Sequence, residues 1–83
     1  MKKVTIYSTP TCTYCTMAKE FFKNHNIPYM EHNVKDDLAK RKEMIDRSQQ
    51  MGVPVIDIDG KILVGFDEVE LSKALGLQSK SRP

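Results

Sequence analysis

Cys12-Thr13-Tyr14-Cys15 holds the only two cysteines of this 83-residue chain, and their spacing is that of a redox-active pair. A pair so spaced exchanges two thiols for one disulfide, provided the backbone brings the sulfurs together. The start of a helix does this, because residues three apart in one turn have Cα atoms about 5 Å apart. A disulfide tolerates about 4.4 to 6.8 Å. The same place supplies reactivity, since the unpaired N–H groups and the positive dipole end of a helix N-terminus favour a thiolate over a thiol. Cys12, at the helix edge, is the expected nucleophile. Cys15, one turn inside and nearer the core, is placed to attack a mixed disulfide formed at Cys12. This chemistry needs no bound metal or organic cofactor.

Other chemistry fits the residues less well. Two buried cysteines can simply fill a core, but a pair at a helix start directly after Pro10 is poorly explained that way. A zinc site would have to recruit His25 and His32, with nine residues between Cys15 and His25 and six between the histidines, unlike the usual finger spacing. Both histidines are expected at the surface. A module holding an iron–sulfur cluster through Cys12 is a further alternative, opposed by Cys15, whose disulfide would compete for the ligand sulfur.

The elements that must position the pair follow from pattern and punctuation. Lys3 to Ser8 is β-branched and aromatic and stops before Pro10, as a strand does. From Thr13 to about His25, Tyr14, Met17, Ala18, Phe21 and Phe22 recur at helical spacing, predicting a helix with those residues on its buried face. Pro28 closes that region, and Tyr29 to Val34 reads as a second strand. Asp36 and Asp37 suit a helix N-terminus, with Leu38, Met44 and Ile45 as a thin apolar stripe running to about Gln49. Val55 to Ile58 and Lys61 to Val64 flank Asp59-Gly60, a hairpin signal. Asp67 with Glu70 resembles a capping box for a last helix, with Leu71, Ala74 and Leu75 inward and Gly76 at its end.

The order β-α-β-α-β-β-α implies a parallel pair joined by a crossover helix, with a hairpin added to the same sheet. One domain over residues 1–77, followed by a flexible tail at 78–83, is all the length allows. The formal charge of +2 and the scatter of basic residues argue against nucleic-acid binding, and Lys40-Arg41-Lys42 reads as a solvated helix face. The first residues lack the apolar stretch of a signal peptide, and no segment approaches the roughly 18 apolar residues of a membrane span. The expectation is a soluble, cytoplasmic monomer, and in such a reducing compartment a cysteine pair is more often catalytic than structural.

Three segments in order give the chain a resemblance to the glutaredoxins, particularly the short bacterial ones, over roughly residues 3 to 75. They are Thr11-Cys12-Thr13-Tyr14-Cys15, Met51-Gly52-Val53-Pro54 and Val64-Gly65-Phe66-Asp67-Glu68. The resemblance implies a thioredoxin-like α/β fold with a four-stranded mixed sheet and three helices. It also implies a groove for glutathione or peptide formed by Thr13, Tyr14, Val53, Pro54, Gly65, Phe66 and Asp67. The proline rule alone favours a trans bond at Pro54; the resemblance implies a cis one, leaving the Val53 backbone to pair with substrate. Gly65 to Asp67 would meet the γ-glutamyl end of glutathione. Asp67 also has a complete explanation as a helix cap, and Tyr14 either lines the groove or packs on the first helical turn.

The chain departs from the family at three positions. Many glutaredoxins have Pro at Thr13, Lys at Thr9, and Gly at Val64. Without the lysine, the cation that would meet the glycyl carboxylate of glutathione is missing. The implied activity is reduction of protein or glutathione-mixed disulfides, with glutathione as co-substrate. The alternative is a redoxin recharged by thioredoxin reductase that serves a specific protein.

Overall fold

Alternation along the first strand decides which side of the sheet each helix covers. The computed structural model describes residues 3–77, so the expected tail at 78–83 lies outside the described residues. In β1 (Val4–Ser8), Val4 and Ile6 point to one face and Tyr7 to the other. The first face packs on α1 (Thr13–Asn24) and α3 (Glu68–Leu75), joining Val4 and Ile6 to Ala18, Phe21, Phe22, Ile56, Ile58 and Leu71. The second packs on α2 (Leu38–Ser48), where Tyr7, Val34, Met44 and Val55 form a smaller cluster. A two-sided sheet needs strands apolar on both faces, and all five residues of β1 are buried.

The remaining strands are β2 (Met30–Asn33), β3 (Val55–Ile58) and β4 (Lys61–Val64). Their spatial order is β2-β1-β3-β4, with β1 parallel to β2 and the other neighbouring pairs antiparallel. This is the expected mixed sheet with a crossover helix and a hairpin. Asp59 and Gly60 both have positive φ, 50° and 94°, the backbone a two-residue hairpin turn requires. The Asp57 carboxylate accepts the Gly60 N–H at 2.7 Å.

Three local expectations need correction. Tyr14 and Met17 are exposed rather than packed inward, because Tyr14, Met17 and Phe21 form the row beside Cys15, Ala18 and Phe22, and the second row faces the sheet. Only Phe21 of the outer row is buried, reached by Phe66 of the segment before α3. Leu38 is also exposed, since it opens α2 before the helix meets the sheet. There Met44 alone is fully buried, and polar bonds supplement the thin stripe: the Tyr7 hydroxyl donates to Glu43, and Arg47 pairs with Asp57. Burial pushes the Tyr7 phenol up, while its hydroxyl holds the Glu43 carboxyl below the ordinary range.

Candidate active site

The register gathers the three family segments at one end of the sheet. Tyr7, near the end of β1, lies opposite Val55, and Val55 lies opposite Val64. The loop after Ser8, Pro54 just before β3, and Gly65 just after β4 therefore emerge side by side.

Cys12 is the N-cap of α1, with extended φ and ψ of −89° and 112°. Its Sγ accepts the Cys15 N–H at 3.1 Å, so the sulfur does the work an oxygen does in an ordinary cap. Its own N–H donates to the Thr9 carbonyl at 3.3 Å, and its carbonyl accepts the Thr16 N–H at 3.2 Å. Both cysteines are free thiols; Cys12 is partly exposed and Cys15 is 0% exposed. Burial first, and the hydrogen bond with Cys12 second, push the Cys15 thiol up to about 12. The geometry gives the two sulfurs different work: one meets solvent at a helix N-terminus, and the other waits as a neutral thiol beneath it.

Thr13 opens α1 and is exposed, and Tyr14, 60% exposed, is free of the first-turn packing considered for it. The Val53–Pro54 peptide bond is cis. Pro54 is buried, and the Val53 side chain packs against the cluster under α2. The Pro54 carbonyl accepts the Gly65 N–H at 2.8 Å, tying the second and third segments together. Gly65 has a φ of 83°, a conformation strained for any side chain although space there is open. Phe66 turns its ring inward, edge-on to Phe21 with centroids 6.1 Å apart, so it anchors the segment. Asp67 is the exposed N-cap of α3, its Oδ1 accepting the Val69 and Glu70 N–H groups at 3.0 and 3.3 Å. His25 and His32 lie apart: His25 stacks on Phe21 at the end of α1, and His32 on β2 faces Tyr7.

Two groups escaped the sequence reading. The Gln50 side chain accepts the Gly52 N–H at 2.7 Å and donates to the Gly52 carbonyl at 3.0 Å and to Ser48 Oγ at 3.2 Å, bracing the turn before Pro54. Nothing in the polar run Ser48-Gln49-Gln50 marks it. The other is a chain of polar groups beneath the dithiol. Glu31 Oε2 accepts the buried Ser8 hydroxyl at 2.7 Å and the Lys19 ammonium at 2.9 Å. The spacing of Lys19, one helical turn after Cys15, was its available signal.

Fold and site together define a class, a thioredoxin-like protein with a Cys-x-x-Cys pair at a helix start. A family model described as Glutaredoxin matches residues 4–63. A glutaredoxin-like 8.6 kDa protein of the Clostridium pasteurianum rubredoxin operon is 50% identical over 72 residues, 87% of this chain and 96% of that protein. Glutaredoxin 3 of Escherichia coli K12 is 37% identical over 76 residues, 92% of each chain. Among solved structures, a mutant of the thioredoxin-like protein BC3987 superposes with a TM-score of 0.87 at 35% identity, covering 94% of this chain and 100% of the other. The chain belongs to the glutaredoxin family. At the level the family defines, its activity is that of a thiol-disulfide oxidoreductase.

Proposed function

We propose that this protein reduces protein or glutathione-mixed disulfides through Cys12 and Cys15, drawing its electrons from glutathione and holding no cofactor of its own. The observation that carries the reading is the asymmetry of the pair. Cys12 caps the helix within 3.1 Å of the Cys15 N–H and remains accessible, while Cys15 is wholly buried.

In this mechanism the Cys12 thiolate attacks one sulfur of the substrate disulfide. A Cys12–substrate bond forms, the substrate S–S bond breaks, and the departing sulfur takes a proton from solvent. Cys15 then loses its proton and attacks Cys12 Sγ, expelling the second substrate thiol and leaving the Cys12–Cys15 disulfide. Two electrons have passed to the substrate, and two glutathione molecules restore the dithiol as they become glutathione disulfide. Pro54 and the Val53 backbone would border the substrate strand, with Thr13 and Tyr14 along its side. Gly65, Phe66 and Asp67 would meet the γ-glutamyl end, through backbone groups and one carboxylate. The reading places the protein in the cytoplasm, where glutathione is abundant and reduced.

A second reading, a redoxin fed by thioredoxin reductase, is favoured by Thr9, which offers glutathione no cation. The deciding experiment compares electron donors: glutathione with glutathione reductase against thioredoxin reductase, each with NADPH, acting on the oxidised protein. Glutathione-dependent turnover supports the first reading. Reduction by thioredoxin reductase without any glutathione-dependent turnover replaces it with the second.

A further inference from the structure

A neutral, buried Cys15 poses a problem, because only its thiolate can attack the mixed disulfide. Its surroundings offer two sources of support. The residue after Ser8 contributes the Thr9 backbone N–H, and α1 contributes Lys19, one turn along the same helix face. Lys19 is not a loose surface lysine. Its Nζ sits 2.9 Å from Glu31 Oε2, and that oxygen also takes the Ser8 hydroxyl, which is 0% exposed at the end of β1. The strand register explains the assembly: Glu31 pairs with Ile6, so it shares the α1 side of the sheet with Ser8.

We infer that Lys19, held in place by Glu31 and Ser8, is a positioning residue for the resolving step, its ammonium favouring the attack of Cys15 on a mixed disulfide at Cys12. The inference rests on the roles proposed above for the two cysteines. Balance requires no new reactant. The Cys15 proton ends on the expelled substrate thiol, Cys12–Cys15 forms as Cys12–substrate breaks, and Lys19 stays protonated throughout. The charged and titratable groups bearing on Cys15 are Cys12 at the N-cap of α1, Lys19 on α1 and, through its pairing with Lys19, Glu31 from β2; the residue after β1 adds the Thr9 backbone. Tyr29, just before β2, and Lys23 on α1 bear on the same ion pair.

The charges predict opposite effects from the two halves of the bridge. Removing Lys19 takes a positive charge from the Cys15 thiolate, whereas removing the Glu31 charge leaves that positive charge less compensated. A purely structural bridge would move both variants in the same direction.

The test is a rapid-mixing reaction of the reduced protein with dithiobis(nitrobenzoate), a chromogenic aryl disulfide. Attack by Cys12 releases one coloured thiolate, and attack by Cys15 on the resulting mixed disulfide releases a second. Lys19→Met should slow the second release relative to the first by about two- to fivefold near neutral pH, the factor a partly screened charge pair supplies. It should also move the pH profile of that release upward, and Lys19→Arg should restore it. Glu31→Gln, which keeps groups able to bond Ser8 and Lys19, should move the profile downward. Equal profiles in all four proteins, or displacement of the Met and Gln variants in the same direction, would overturn the inference. A wild type that releases one thiolate only would remove the resolving role of Cys15 itself, a different and visible failure.

Discussion

Asp67 caps a helix and, in the proposed function, meets glutathione, two roles that a pair of substitutions can separate. Its Oδ1 caps α3 through the Val69 N–H at 3.0 Å and the Glu70 N–H at 3.3 Å, and its exposed carboxylate borders the proposed glutathione site. Asp67→Ala removes both acceptor contacts, a loss that typically costs about 1 kcal/mol and at most about 2. The second contact is long, so the typical figure is the better estimate. In a domain of this size about 1 kcal/mol lowers Tm by roughly 4 to 8 °C. Asp67→Asn keeps a capping oxygen of equal rank and gives up only the attraction of a charge to the helix dipole, about 0.3 to 1 kcal/mol at an exposed site. For the ligand, an exposed carboxylate–ammonium pair is worth about 0.2 to 1 kcal/mol, or about 1.4- to fivefold in KM. Both variants should therefore raise the glutathione KM by a similar factor, while the alanine variant melts lower than the asparagine one by up to about 6 °C. Thermal unfolding followed by circular dichroism and glutathione-dependent reduction of a mixed disulfide measure the two effects. A wild-type KM in Asp67→Asn would refute the role of the charge. An unchanged Tm in Asp67→Ala would refute the cap.

The dithiol yields a simple contrast: Cys12→Ser should abolish disulfide reduction, whereas Cys15→Ser should trap substrates as mixed disulfides visible by intact mass. In the wild type iodoacetamide should label the accessible Cys12 before the buried Cys15, and the reverse order would contradict the assigned roles. Thr9→Lys should lower the glutathione KM by about 1.4- to fivefold, the worth of an exposed charge pair, with kcat little changed because the added contact is nearly uniform along the reaction. The Cys15 thiol also gives a pH dependence, since its value moves from about 9 in the unfolded chain to about 12 in the folded one. Below pH 9 both states hold the proton. Between about 9 and 12 only the unfolded chain loses it, so this contribution to stability drains away as pH rises. Urea unfolding of the reduced protein should show that loss, and Cys15→Ala should show less of it.

The order of elements was legible because each boundary carries a local cause. Pro10 separates the first strand from the dithiol, Asp37 and Asp67 cap their helices, and Asp59-Gly60 supplies a positive-φ backbone that closes β3 onto β4. What periodicity could not decide was which of two neighbouring apolar rows on α1 faces the sheet. Tyr14-Met17-Phe21 and Cys15-Ala18-Phe22 have the same spacing, and the choice was made by the sheet, which lies outside the helix's own sequence. The positions of Cys12 and Cys15 at the helix start were likewise readable from spacing. Gln50 and the pairing of Lys19 with Glu31 were not, because those bonds depend on how a turn closes and on which β2 residue lies opposite Ile6.

The burial of Cys15 orders the reaction as well as the fold. A thiol with no exposed surface, pushed up to about 12, is not the group that meets a substrate in solution. Once a mixed disulfide exists, that limitation disappears, because the sulfur to be attacked is the one that already accepts the Cys15 N–H at 3.1 Å. In the proposed function, substrate selection falls to the groups around Cys12: Thr13 and Tyr14, the Val53–Pro54 segment, and the Gly65–Asp67 segment. In the inference drawn for Lys19, completion of the reaction draws on the groups beneath, where Ser8, Glu31 and Lys19 join the end of β1 to α1. In that reading a single strand end, that of β1, aligns the thiol that chooses with the thiol that resolves.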